Sequence, residues 1–101
     1  MSTFNTSLIF LEYVNRGKLE KFEEKLLEDR IRYTVGCLYV KYPEYNLADI
    51  IDLTEREFRQ DLLESKFTRD IYDSALEGFE KLRKKFIKKK IEKYYEQYYN
   101  K

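Results

Sequence analysis

The chain has no histidine, no tryptophan, one cysteine, one proline and three glycines among 101 residues. Without an imidazole there is no serine triad, no cysteine–histidine dyad and no zinc site of the commonest kind. The single Cys37 excludes an intramolecular disulfide. Set between Gly36 and Leu38 in an uncharged stretch, it reads as a small buried apolar residue and fits a reducing compartment. No apolar run approaches the roughly 20 residues of a membrane span. Met1 to Thr6 is neutral and the run from Leu8 to Leu11 is too short for a signal core. These absences lead to the expectation of a cytoplasmic protein that is not an enzyme, with no cofactor, no metal and no transmembrane segment.

What is present is charge, 39% of residues, together with ten Tyr and seven Phe. That many aromatics argue against disorder. With little Gly or Pro to interrupt them, sequences rich in Leu, Lys, Glu and Tyr favour helices, and this length supports one core without staples. The expected fold is all-α: a single helical domain over residues 1–101, a small bundle of four to five helices ending in a long basic helix. An α+β fold with a short buried strand near 33–40 is the alternative, because Tyr33 to Val40 is uncharged and rich in β-branched and aromatic residues.

Ser7 to Arg16 reads as a short helix, apolar on most sides, capped by Asn5, Thr6 or Ser7 and terminated at Gly17. From Lys18 to Tyr42 two apolar stripes alternate at helical spacing. Leu19, Phe22 and Leu26 form one, and Leu27, Ile31, Thr34, Leu38 and Tyr42 the other, which describes a central helix touched from two sides. Gly36 within it permits the close approach of a neighbouring backbone. Pro43 ends the element. Asn46 is placed to cap a helix from Leu47 to Asp52, and Thr54 with Glu57 matches a capping box for another helix reaching about Ser65. Thr68 caps the last and longest helix, with Asp70 in its first turn.

The last helix changes face partway along. Tyr72, Ala75, Leu76, Phe79, Leu82 and Phe86 share one side; Ile87, Ile91, Tyr94 and Tyr98 share another, rotated by roughly the 100° of one residue. The first half belongs in the core. The second half either folds back over the body or engages another molecule. Its apolar stripe, added to Leu8 to Val14, is more surface than a small bundle covers easily, so a homodimer is a further expectation.

Charge is unevenly divided. Nine basic and two acidic residues lie between Lys81 and Lys101, a local charge of +7 in a chain that sums to +1, so the first eighty residues carry −6. The densest part, Lys81, Arg83, Lys84, Lys85, Lys88, Lys89, Lys90 and Lys93, is a candidate nucleic-acid surface, because clustered cations release counterions from phosphate backbones. Tyr94, Tyr95, Tyr98 and Tyr99 add candidate stacking on unpaired bases. With one Arg in the cluster, bidentate reading of guanine has little support and binding without sequence preference is expected. The expected function is therefore a non-enzymatic regulatory protein that contacts nucleic acid through its C-terminal helix. The alternative is a regulator or inhibitor that docks on a partner protein through its acidic body or its tyrosine-rich end, with Ile87, Ile91, Tyr94, Tyr95, Tyr98 and Tyr99 as the contact.

Other patterns carry less. Asn46 to Ser65 has the outline of a helix-turn-helix, but Glu55, Glu57, Asp61 and Glu64 would repel phosphate, and two ordinary bundle helices account for it. Glu64 and Lys66 with Asp49 or Asp52 are the residue types of a magnesium nuclease, yet they lie at a helix end, where the spacing does not project them together. A membrane-surface role for the basic helix is disfavoured by a stripe that lacks Trp.

Overall fold

The first helix, α1 (Thr6–Arg16), stops where Gly17 adopts φ +78° and its N–H reaches the Tyr13 carbonyl at 2.7 Å. A left-handed residue there satisfies an orphan carbonyl without the steric cost a side chain would add. The computed structural model describes residues 6–100, so the candidate cap Asn5 lies outside the described residues. Ile9 and Phe10 of α1 are fully buried, and the Thr6 hydroxyl donates to Asp61 at 3.2 Å.

The second helix, α2 (Lys21–Lys41), begins later than the apolar pattern alone implies, because Glu20 and Glu23 form a reciprocal capping box. The Glu20 N–H donates to the Glu23 carboxylate at 2.9 Å, and Arg16 at the end of α1 pairs with that same carboxylate. Leu27, Ile31 and Val35 are completely buried and Thr34 nearly so. Residues 33–40 are helical, which decides against the strand alternative. The other expected stripe is only partly used: Leu19 and Leu26 pack against the core, but Phe22 is 60% exposed. At about 100° per residue Phe22 lies about 140° from Leu27 and about 180° from Ile31, on the solvent side. Cys37 is likewise exposed rather than buried, sharing an outward side with the exposed Tyr33 and Val40 at positions i, i+4 and i+7. An uncharged stretch is no guide to burial when its helix has an outer face.

Two expected helices prove to be one. The third element, α3 (Leu47–Glu64), is capped by the Asn46 side chain, which accepts from the Asp49 N–H at 2.9 Å, and runs unbroken through Thr54. Thr54 is not a cap but a fully buried member of the four-spaced stripe Ile50, Thr54, Phe58 and Leu62. Burying that continuous stripe outweighs the local preference for a second start. The helix-turn-helix outline disappears with it.

The last element runs from Arg69 to Tyr99 in three parts: α4 (Arg69–Leu82), a π turn (Arg83–Ile87) and α5 (Lys88–Tyr99). Thr68 caps it, its hydroxyl accepting from Ile71 N–H at 3.4 Å. Within the π turn the Lys88 N–H bonds to the Arg83 carbonyl, five residues back instead of four. This inserted residue is the physical cause of the change of face. Leu82 and Ile87, five apart, both point into the core, and Ile91 and Tyr94 continue from Ile87 at ordinary helical spacing.

Helix α1 packs on α4 and α2 on α5, with α3 crossing both pairs. The first contact is close enough to involve backbone: a Cβ at Gly78 would stand 2.1 Å from the Phe10 carbonyl oxygen. Phe10, Phe58 and Phe79 meet at the centre with ring centroids 5.4–6.2 Å apart. The guanidinium groups of Arg30 and Arg59 cover Phe58 and Phe79 at 5.5 and 5.4 Å. The result is an all-α bundle with no strand among the described residues, 41 Å long and about 25 Å across.

Candidate nucleic-acid interface

The basic residues of the C-terminal helix fall into two groups according to what stands beside them. At the start, Lys81 reaches Glu77 at 2.9 Å, while Arg83 reaches Glu80 at 2.9 Å and the buried Glu55 at 3.5 Å. Toward the end, Lys90 and Lys93 converge on Glu28 of α2 at 3.2 and 2.9 Å. The Tyr94 hydroxyl donates to the same carboxylate at 2.6 Å. With the Tyr94 and Lys93 hydrogen bonds leading, the Glu28 carboxyl is lowered to about 2, and Lys93 is raised in turn by Glu28. Arg83, Lys90 and Lys93 thus tie the helix to α3 and α2, while Lys81 pairs only within its own helix.

Between them lie Lys84, Lys85, Lys88 and Lys89. All four are exposed, and among the described residues none forms an ion pair. Lys84 and Lys88, and Lys85 and Lys89, are four residues apart, which makes the members of each pair neighbours on successive turns of the helix surface. All four lie within about two turns of the helix, on either side of the junction between the π turn and α5.

The tyrosines expected to stack on bases are placed elsewhere. Tyr94 is 7% exposed and bound to Glu28. The Tyr95 and Tyr99 hydroxyls donate to the Tyr45 and Tyr42 carbonyls at 3.4 and 3.1 Å, closing the helix end onto the α2–α3 connection. Tyr95 and Tyr99 stack on each other at 4.4 Å, Tyr42 and Tyr45 at 4.5 Å, and Tyr39 meets Tyr99 edge-on at 4.8 Å. Burial is the main cause that raises the Tyr99 hydroxyl above its ordinary pKa. Tyr98 lies over Gly36: a Cβ there would be 3.2 Å from its ring, so the small residue admits a side chain rather than a backbone.

Of the residues considered as a docking contact, Ile87 and Ile91 are completely buried in the chain's own core, and Tyr94 nearly so. The second half of the helix folds back over the body. On α1, Ile9 and Phe10 are covered by the chain itself, although Leu8 remains 46% exposed. The apolar excess that motivated a homodimer is thus largely absorbed within one chain.

Of the nuclease residue types, the Glu64 carboxylate accepts from Gln60 at 3.0 Å at the end of α3, and Lys66 lies in the α3–α4 connection. No group of three His, Cys, Asp or Glu suited to a metal occurs among the described residues. Sequence reading missed the acids that sort the cluster. Glu77–Lys81 and Glu80–Arg83 were legible at spacings of four and three, whereas Glu28 and Glu55 reach the helix only through the tertiary fold. No helix among the described residues is long and apolar enough to cross a membrane. No known protein family, curated protein or solved structure matches the chain.

Proposed function

We propose that the protein is a non-enzymatic, cytoplasmic regulatory protein that binds nucleic acid through Lys84, Lys85, Lys88 and Lys89. The observation that carries this reading is the pairing pattern: these four lysines are exposed without acidic partners, while Lys81, Arg83, Lys90 and Lys93 on the same helix are paired. Neutralised phosphates would release counterions, and the net negative remainder of the chain would repel the strand elsewhere, orienting it on the patch.

Fluorescence anisotropy of a labelled DNA duplex across a salt series tests this. Four phosphate contacts give a log–log slope of about −3.6. The variant K84E/K85E/K88E/K89E abolishes binding and keeps its helical circular dichroism, since none of the four supports the core. Absence of binding by the unmodified chain at low salt overturns the reading. It leaves the alternative of a regulator that docks on a protein through its acidic surface, the tyrosine-rich end being engaged within the chain.

A further inference from the structure

We infer that the nucleic acid this patch accepts is double-stranded and is held by its phosphates, with no base read; this rests on the nucleic-acid reading above. Single-strand binders combine a basic track with aromatic platforms, and base–aromatic stacking supplies about 1–3 kcal/mol per base. Here the platforms are closed. Tyr94 is buried against Glu28, Tyr95 and Tyr99 are stacked together and bonded to the α2–α3 connection, and Tyr98 lies over Gly36. The aromatic ring nearest the lysines in sequence, Phe86, is half-buried and covered by the Lys90 ammonium at 5.4 Å. An unpaired base finds nothing beside the patch on which to lie.

Base-edge reading is closed as well. The one guanidinium in the cluster, that of Arg83, is held between Glu55 and Glu80 at 3.5 and 2.9 Å. What remains is four exposed lysines within about two helical turns, and the ligand that rewards such a concentration of positive charge is the one with the greatest charge density. A duplex carries one charge per about 1.7 Å of axis against about 3.4 Å for each strand alone. Four contacts correspond to log–log salt slopes of about −3.6 on duplex and about −2.8 on single strand. If the two affinities converge near 1 M salt, the duplex is favoured about tenfold at 50 mM.

The test uses the full chain with fluorescein-labelled DNA and RNA duplexes of about 20 base pairs and their separate strands, at 50 mM salt. Tyrosine emission, free of tryptophan interference because the chain has none, reports stacking. The expected result is duplex binding about tenfold tighter than single-strand binding, unchanged by base sequence, with tyrosine emission unaltered. Whichever of the DNA and RNA duplexes binds tighter identifies the source, and both results uphold the inference provided each duplex exceeds its own strands. Single-strand binding equal to or tighter than duplex binding overturns the inference and leaves the nucleic-acid reading standing; quenched tyrosines would then show that the closed end opens to stack. Binding to neither form overturns both. The milder K84Q/K85Q/K88Q/K89Q confirms the contact count by removing most of the slope, about 0.9 per lysine on duplex DNA.

Discussion

Gly78 shows how one residue sets the approach of two helices. With no side chain it lets the Phe10 carbonyl of α1 rest against α4, where a Cβ would stand only 2.1 Å from that oxygen. The obstacle is backbone, which has no rotamer to change, so α1 would have to move off the core. Gly78→Ala is expected to cost about 3 kcal/mol despite the better helix propensity of alanine, read as a lowered urea midpoint. A variant as stable as the parent would show that α1 does not sit against α4 in this way. The same scale decides the candidate interface: whether a lysine is occupied depends on single acids, and Glu28 alone engages Lys90, Lys93 and Tyr94.

Among the elements, the π turn has the largest consequence. Leu82 and Ile87 both face the core across five residues, one more than a regular turn holds. Removing one exposed residue inside the turn leaves a spacing of four and restores an ordinary helix without moving Ile91 or Tyr94 from the core. Deleting Lys85 is therefore expected to leave a cooperatively folding protein. Deleting Lys89, outside the turn, rotates Tyr94 and the terminal tyrosines by about 100° and costs more than about 3 kcal/mol through the lost core contacts. Circular dichroism and urea unfolding of the two deletions distinguish the outcomes, and equal damage would refute the account of the turn as an inserted residue. The change of apolar face was legible in the sequence, because spacing is a one-dimensional property. The hydrogen-bond pattern that produces it was not.

For the whole molecule, pH acts on the ties that close α5 over the body. The Glu28 carboxyl is lowered to about 2 in the folded state from an ordinary 4.5, so its charged form favours folding. That contribution is complete above the unfolded value of 4.5 and is lost as pH falls toward about 2. Tyr94 and Tyr99 are shifted the other way, mainly by burial, so their neutral forms favour folding and stability declines as pH rises beyond the ordinary value of 10. Glu28→Gln is expected to flatten the acid limb of a stability–pH curve measured by urea unfolding and to weaken the alkaline limb only by the part of the Tyr94 shift that Glu28 supplies, the burial-driven part at Tyr94 and Tyr99 remaining. An unchanged acid limb would mean that Glu28 does not hold α5. Its side chain is 24% exposed, so solvent screening keeps the effect moderate.

The sequence by itself determined the helical class, the helix ends at Gly17, Pro43, Asn46 and Thr68, the buried stripe of Leu27, Ile31 and Thr34, and the rotation of the last helix, all properties of neighbours within a few positions. Tertiary structure decided the rest. It fused two expected helices around buried Thr54, turned Phe22 and Cys37 outward, and closed the terminal tyrosines onto Tyr42 and Tyr45. It also divided a uniform run of lysines into paired and unpaired groups, because Glu28 lies 65 residues from Lys93 and meets it only after α2 and α5 have packed. Local spacing encodes which side of a helix is apolar; the partner that covers that side, and the charges left over, are fixed by packing between segments far apart in the chain.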